Sequence, residues 1–202
     1  MPQRHTEPDR GNAAARHAGL LLLWVLVAGT ALNYAAIHPL HNYLLDFRAY
    51  YAAGRAVQLG INPYDAAAVS AQVVLPGKQA IVRYLYPPPT LGLMYLLALL
   101  PYPAAQVFWC LFQFVLLLVA LGLVLRALRC PLGSPASVLI ACVLLMSPAV
   151  EQLFRWGQID MLPTALLALG FLALTRGRSR GAGLSVGLAA VTKVTSLLYL
   201  GI

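Results

Sequence analysis

Asp46 stands in Asp46-Phe47-Arg48-Ala49-Tyr50-Tyr51-Ala52-Ala53-Gly54-Arg55, directly after the first long apolar stretch of the chain. A carboxylate at a bilayer edge is expensive to desolvate. The chain has only six acidic residues, so the position of each carries information. Two roles are open to Asp46. It can cap a helix by accepting from the first amides, or it can take a proton from a hydroxyl as a general base. Arg48 and Arg55 follow it within three turns of helix, and they can pair with it or with lipid phosphates. Tyr50, Tyr51, Tyr64 and Tyr86 offer either an interfacial aromatic belt or faces for a ligand. Further on, Arg155-Trp156-Gly157-Gln158-Ile159-Asp160 separates two apolar runs. Lys193 lies inside the last such run, 12 residues past Gly181. An ionisable residue within a span is a functional candidate by default. Gln158 and Asp160 also suit a helix cap.

The elements that must position these residues follow from composition. The chain has 202 residues, 60% hydrophobic and 10% charged. Soluble domains carry about a quarter charged residues, so this is a membrane composition. The net charge of +8 forms no basic stripe, because the arginines punctuate apolar runs. Nucleic acid is therefore excluded as a partner, and the positive-inside rule accounts for the excess. Cys110, Cys130 and Cys142 lack metal-ligand spacing and read as small buried hydrophobes. His38 and His41 have no carboxylate partners in sequence and read as interfacial polar residues. No metal or cofactor is expected.

Spans are expected at about 18–37, 104–125, 132–150, 158–175 and 181–202. Each approaches the roughly 20 residues a bilayer requires. The arginines before residue 18 suggest a signal peptide, but the apolar run is too long for one and further spans follow. The run 90–100 is too short to span and is closed by Pro101 and Pro103. Charge supports treating it as a juxtamembrane or re-entrant helix. With residues 1–17 cytoplasmic, Arg4, Arg10, Arg16, Arg126, Arg129, Arg176, Arg178 and Arg180 fall inside. Arg48, Arg55, Lys78, Arg83 and Arg155 fall outside, an eight-to-five bias of the expected sign. If 90–100 spanned, the bias would reverse to four against nine.

An outer loop over 38–103 results, tyrosine-rich and full of local signals, with a second short loop at 151–160. Asp46 is expected to cap a helix from Phe47 to about Leu59, with Gly60 as its left-handed terminator. On that helix Arg48, Tyr51 and Arg55 share one face. Phe47, Tyr50, Gly54 and Val57 share another, which can lie in the interface with its aromatic side down. Asn62-Pro63-Tyr64-Asp65 reads as a turn. Tyr86-Pro87-Pro88-Pro89 reads as a stiff extended lead into the 90–100 helix.

Taken in order, Asp-Phe-x-x-Tyr-Tyr-x-Ala-Gly-Arg, Asn-Pro-Tyr-Asp, Tyr-Pro-Pro, Gly-Gln and a lysine-bearing helix resemble glycosyltransferase family 87. These are polyprenol-phosphate-mannose-dependent mannosyltransferases and their relatives, within the GT-C superfamily. The resemblance runs over roughly residues 44–202. It implies an all-α polytopic bundle of GT-C type with juxtamembrane helices in the first outer loop. Members are longer, so this chain reads as the N-terminal part of such a bundle, 18–202 forming the membrane domain. The family's acidic residue at the start of the first outer loop is its base and corresponds to Asp46.

A polyprenyl-phosphate sugar would then be the donor, and a lipid or glycan on the outer face the acceptor. Transfer would be inverting. Arg48, Arg55, Arg155 and Lys193 are candidates to stabilise the lipid-phosphate leaving group. Tyr50, Tyr51, Tyr86 and Trp156 would offer faces to sugar or isoprenoid, and Gln158 a hydrogen bond to a sugar hydroxyl. The rival expectations are a piece of a membrane transporter, which would also explain Lys193 and the Pro/Gly-interrupted segments, and a non-catalytic membrane remnant. The Ala/Arg/Leu-rich, lysine-poor composition suggests a bacterial cytoplasmic membrane.

Overall fold

The computed structural model describes residues 10–37, 44–77, 81 and 83–193. His38, His41 and Lys78 lie outside the described residues, as does the part of the 181–202 run that follows Lys193. Among the described residues every regular element is helical, as the apolar composition requires. In lipid the backbone must satisfy its own hydrogen bonds, and a helix does so within one segment.

Helix α1 (Arg10–Ala31) continues as a π-helical turn, Leu32–Ile37. It starts eight residues earlier than the expected span at 18, because Arg10 and Arg16 are good helix formers. Three short elements come next: α2 (Leu45–Gln58), α3 (Ala66–Gln72) and, after a 3-10 turn at Pro88–Thr90, α4 (Leu91–Leu97). Then come α5 (Tyr102–Ala127), α6 (Pro135–Leu145), α7 (Pro148–Trp156), α8 (Met161–Thr175) and α9 (Ser179–Thr192).

Two stretches are long and apolar enough to cross a membrane, Ala13–Tyr34 and Tyr102–Ala127. A third arises if α6 and α7, bent by 43°, form one broken span. Among the described residues two or three stretches thus meet this length and apolarity, where five spans were expected over the whole chain. At 15 residues α8 is apolar but short. With seven residues, about 10 Å, α4 is far too short to span.

The expected helix over 132–150 breaks at Met146-Ser147, and the cause is local. Pro148 has no N–H to give the preceding turn. Ser147 instead caps α7, its hydroxyl accepting from the Ala149 amide. The Leu145 carbonyl, left without its usual helical donor, accepts from the Tyr34 hydroxyl at 3.2 Å. The Tyr34 ring stacks on Phe154 at 4.4 Å. One tyrosine of the first span thus seals the break, and the expected loop 151–160 becomes helix as far as Trp156.

The core divides in two. Phe114, Leu117, Leu121, Ala141, Leu145 and Phe154 fill the space between α1, α5, α6 and α7. The other core is aromatic: Phe47, Tyr50, Tyr84, Tyr102 and Trp109 gather with Met94 and Ile159 around α2. Gly54 allows this packing, since a Cβ there would stand 2.1 Å from the Met94 carbonyl oxygen. The backbones of α2 and α4 therefore touch, and α2 is buried on nearly all sides. Its aromatic face meets protein, not the lipid interface expected for it.

Candidate functional site

Asp46 lies in the first turn of α2, and its cap function is not used. The N-cap residue is Leu44, in the left-handed region, and no side chain caps the helix. The far end behaves as expected. Gly60, with φ 71°, lets its own amide reach Val57 O and the Ile61 amide reach Ala56 O, the paired bonds of a Schellman terminus. The Asn62–Asp65 turn is likewise present: Asn62 Oδ1 accepts from the Tyr64 amide, and Asp65 goes on to cap α3.

Freed from capping, the half-buried Asp46 carboxylate faces side chains from distant segments. Burial pushes its pKa above the ordinary carboxylate value. A hydrogen bond from Gln158 and the charge of Lys193 pull it back, while the nearby Asp160 charge raises it further. Tyr50, one turn along α2, donates its hydroxyl to Tyr86 Oη at 2.7 Å and accepts from the Ile159 amide at 3.4 Å. Burial raises the pKa of both phenols, so they stay protonated. Having accepted from Tyr50, Tyr86 keeps its own proton for another acceptor. It is half-buried and feels Lys193, Asp46 and Asp160.

Gln158 reaches this place because of the residue before it. Gly157 ends α7 at φ 70°, and a Cβ there would meet Phe47 Cβ at 2.9 Å and Leu44 Cβ at 3.1 Å. The Gly157 carbonyl accepts from Trp109 Nε1 at 2.9 Å. Trp109 in turn packs edge-on to Tyr50, ring centroids 5.6 Å apart. The Gly-Gln pair is thus clamped between α2 and α5. Asp160 opens α8 at the N-cap position, yet its side chain caps nothing. It forms an ion pair with Lys193, which follows α9 in extended backbone (φ −151°, ψ 114°). The lysine expected within a span thus has a carboxylate partner, and the helix expected to carry it stops at Thr192.

The remaining candidates lie elsewhere. Arg48 is two residues from Asp46, which turns it to another side of α2. It is buried, donates to Pro76 O at 2.5 Å and sits 5.9 Å from the centre of the Tyr102 ring. Tyr51 donates to Leu100 O at 2.7 Å. Arg55 donates to Gln58 Oε1 at 2.6 Å, and Gln58 to Tyr95 O. These three tie α2 to the 76–102 segment and leave the Asp46 side. Arg155 is exposed in the last turn of α7, beside the part-exposed Trp156. Of the sequence candidates, Asp46, Tyr50, Tyr86, Gln158 and Lys193 come together. Asp160 joins them although sequence reasoning saw in it only a cap. Its one advance signal was a lysine in an apolar run, which demands a counter-charge. Among the described residues, no three His, Cys, Asp or Glu side chains converge as a metal site would need.

The cluster joins a half-buried carboxylate, an ammonium already paired to a second carboxylate, two phenols and an amide. Such a set can accept a proton, balance an anion and hold hydroxyl groups. The family model of glycosyltransferase family 87 matches residues 84–201, a stretch that carries Tyr86, Gln158, Asp160 and Lys193 and begins after Asp46. No curated protein and no solved structure matches the chain.

Proposed function

Because this chain belongs to glycosyltransferase family 87, and so to a family of membrane glycosyltransferases, we propose that it moves a hexose, mannose in our reading, from a polyprenyl phosphate to a lipid or glycan hydroxyl. The single observation that carries the assignment of roles is the meeting of Asp46 with Gln158 and Lys193 beside the Tyr50–Tyr86 pair. Two carboxylates are present, and Lys193 already holds Asp160. Asp46 is the one left to take a proton, and a raised pKa makes it a stronger base nearer neutral pH.

In this mechanism the acceptor oxygen attacks C1 of the sugar as its proton passes to Asp46. The bond from C1 to the phosphate oxygen breaks, and the electron pair leaves with the lipid phosphate, so the anomeric centre inverts. Lys193 faces the charge that grows on the phosphate. Tyr86 and Gln158 supply hydrogen bonds to sugar hydroxyls. No metal or cofactor enters this scheme.

Asp46→Asn in the intact protein tests it. With membranes and a radiolabelled polyprenyl-phosphate hexose, transfer is expected to fall by about 10²–10⁴-fold, while membrane insertion is kept. Retained transfer would rule out the base assignment. Uptake of label into vesicles with no transfer would favour a transporter.

A further inference from the structure

We propose that Asp160 is a positioning residue that holds the Lys193 ammonium beside Asp46 without letting the two close into an ion pair, so that the Asp46 carboxylate stays open to an incoming hydroxyl. The inference rests on the reading of Asp46 as the base. Three observations lead to it. Asp160 occupies the N-cap of α8, where an aspartate ordinarily accepts from helix amides, and its side chain makes no such bond. That carboxylate is turned instead to Lys193, in a charge-assisted hydrogen bond that offsets the missing cap. Lys193 is brought there by the end of α9: the helix stops at Thr192, and the lysine takes extended backbone in a run that sequence alone reads as continuous helix.

Both partners are partly exposed, at 28% for the lysine and 19% for the aspartate, so neither is sealed inside the protein. The groups that bear on Asp46 come from each neighbouring segment: Tyr50 on its own helix, Tyr86 before α4, Gln158 and Asp160 between α7 and α8, and Lys193 after α9. Lys193 is the one cation in this set. Without Asp160 its nearest anion would be Asp46, and a closed pair there would occupy the lone pairs that the acceptor hydroxyl needs. With Asp160 in place, the ammonium stays free on its remaining protons to face a phosphate.

Labelling with a hydrophobic carbodiimide tests this, because the reagent modifies protonated carboxyl groups and needs no turnover. In the intact protein, mass spectrometry follows the modification of Asp46 against pH. Asp160→Asn is expected to lower the midpoint by about one unit, a tenfold change in proton affinity. In a Lys193→Met background the same substitution is expected to shift it much less, since no ammonium is left to move. The acid limb of transfer is expected to follow the labelling midpoint downward, with kcat falling about tenfold or more. An unmoved midpoint overturns the proposal, and so does an equal shift in both backgrounds, which would mean simple charge removal. Should Asp160→Asn not insert, Asp160→Glu decides. It retains the pair and is expected to keep the midpoint within about half a unit, and a fall of a full unit overturns the inference. Continued transfer by Asp46→Asn would remove the base reading alone; the labelling result judges Asp160 separately.

Discussion

At the scale of single residues, the Asp46 carboxyl sets the pH behaviour. Transfer needs it deprotonated, and burial holds its pKa above the ordinary value of about 3.9. The acid limb of the pH–rate profile is therefore expected above that value, with activity lost as pH falls through it. Gln158→Ala removes a hydrogen bond that favours the charged form. It is expected to move the limb to higher pH, opposite in direction to Asp160→Asn, and a profile recorded from about pH 4 to 8 separates the two. The same shift bears on stability with the reverse sign. A carboxyl whose pKa is raised by folding contributes stability below its unfolded pKa, and this is lost as pH rises through the folded value. At neutral pH the charge is thus a burden on the fold. Asp46→Asn is expected to raise the thermal unfolding midpoint in detergent at pH 7 while abolishing transfer. A lowered midpoint would mean that the bonds to Gln158 and Lys193 outweigh desolvation.

At the scale of elements, the site depends on how closely short helices approach. Gly54→Ala adds a methyl 2.1 Å from the Met94 carbonyl oxygen. Alanine gains about 1 kcal/mol of helix propensity over glycine, but the contact is with backbone and cannot be relieved by a rotamer change. Overpacking of this kind costs about 1–3 kcal/mol, so the net expectation is a lower thermal midpoint and a weakened α2–α4 contact. An unchanged midpoint would mean that α4 shifts freely. Gly157 works at the other end of the same core, where the α7 terminus and the Trp109 hydrogen bond aim Gln158 at Asp46. Local chemistry predicted part of this layer. The Gly60 terminator and the Asn62–Asp65 turn were legible because each depends on a few adjacent residues. The cap at Asp46 was not, because Leu44, in the left-handed region, holds the N-cap position and the helix opens at Leu45. Nor was the break at Met146-Ser147 recognised inside an apolar run, although both of its signals, a capping serine and the proline after it, stand in the sequence.

At the scale of the whole molecule, the proposed topology sets Arg155 and Arg178 on opposite sides of the membrane. Single cysteines at those positions are expected to react with an impermeant maleimide from the outer and the cytoplasmic side respectively, and labelling of both from one side would refute the topology. By itself the sequence determined the all-helical membrane class, the resemblance to a glycosyltransferase family and a short set of polar residues worth suspecting. Those properties are sums over composition or patterns within a few turns, and neither needs a partner to be known. Only the tertiary structure decided which suspects meet. Asp46 stands 112 residues before Gln158 and 147 before Lys193, while Asp46 and Arg48 are two apart and still face different neighbours. A helix turns a side chain through about 100° per residue, so proximity in sequence says little about shared space. Where each side chain points follows from the packing of Gly54 on α4 and of Gly157 on α2, and from the end of α9 at Thr192, which leaves Lys193 extended beside Asp160.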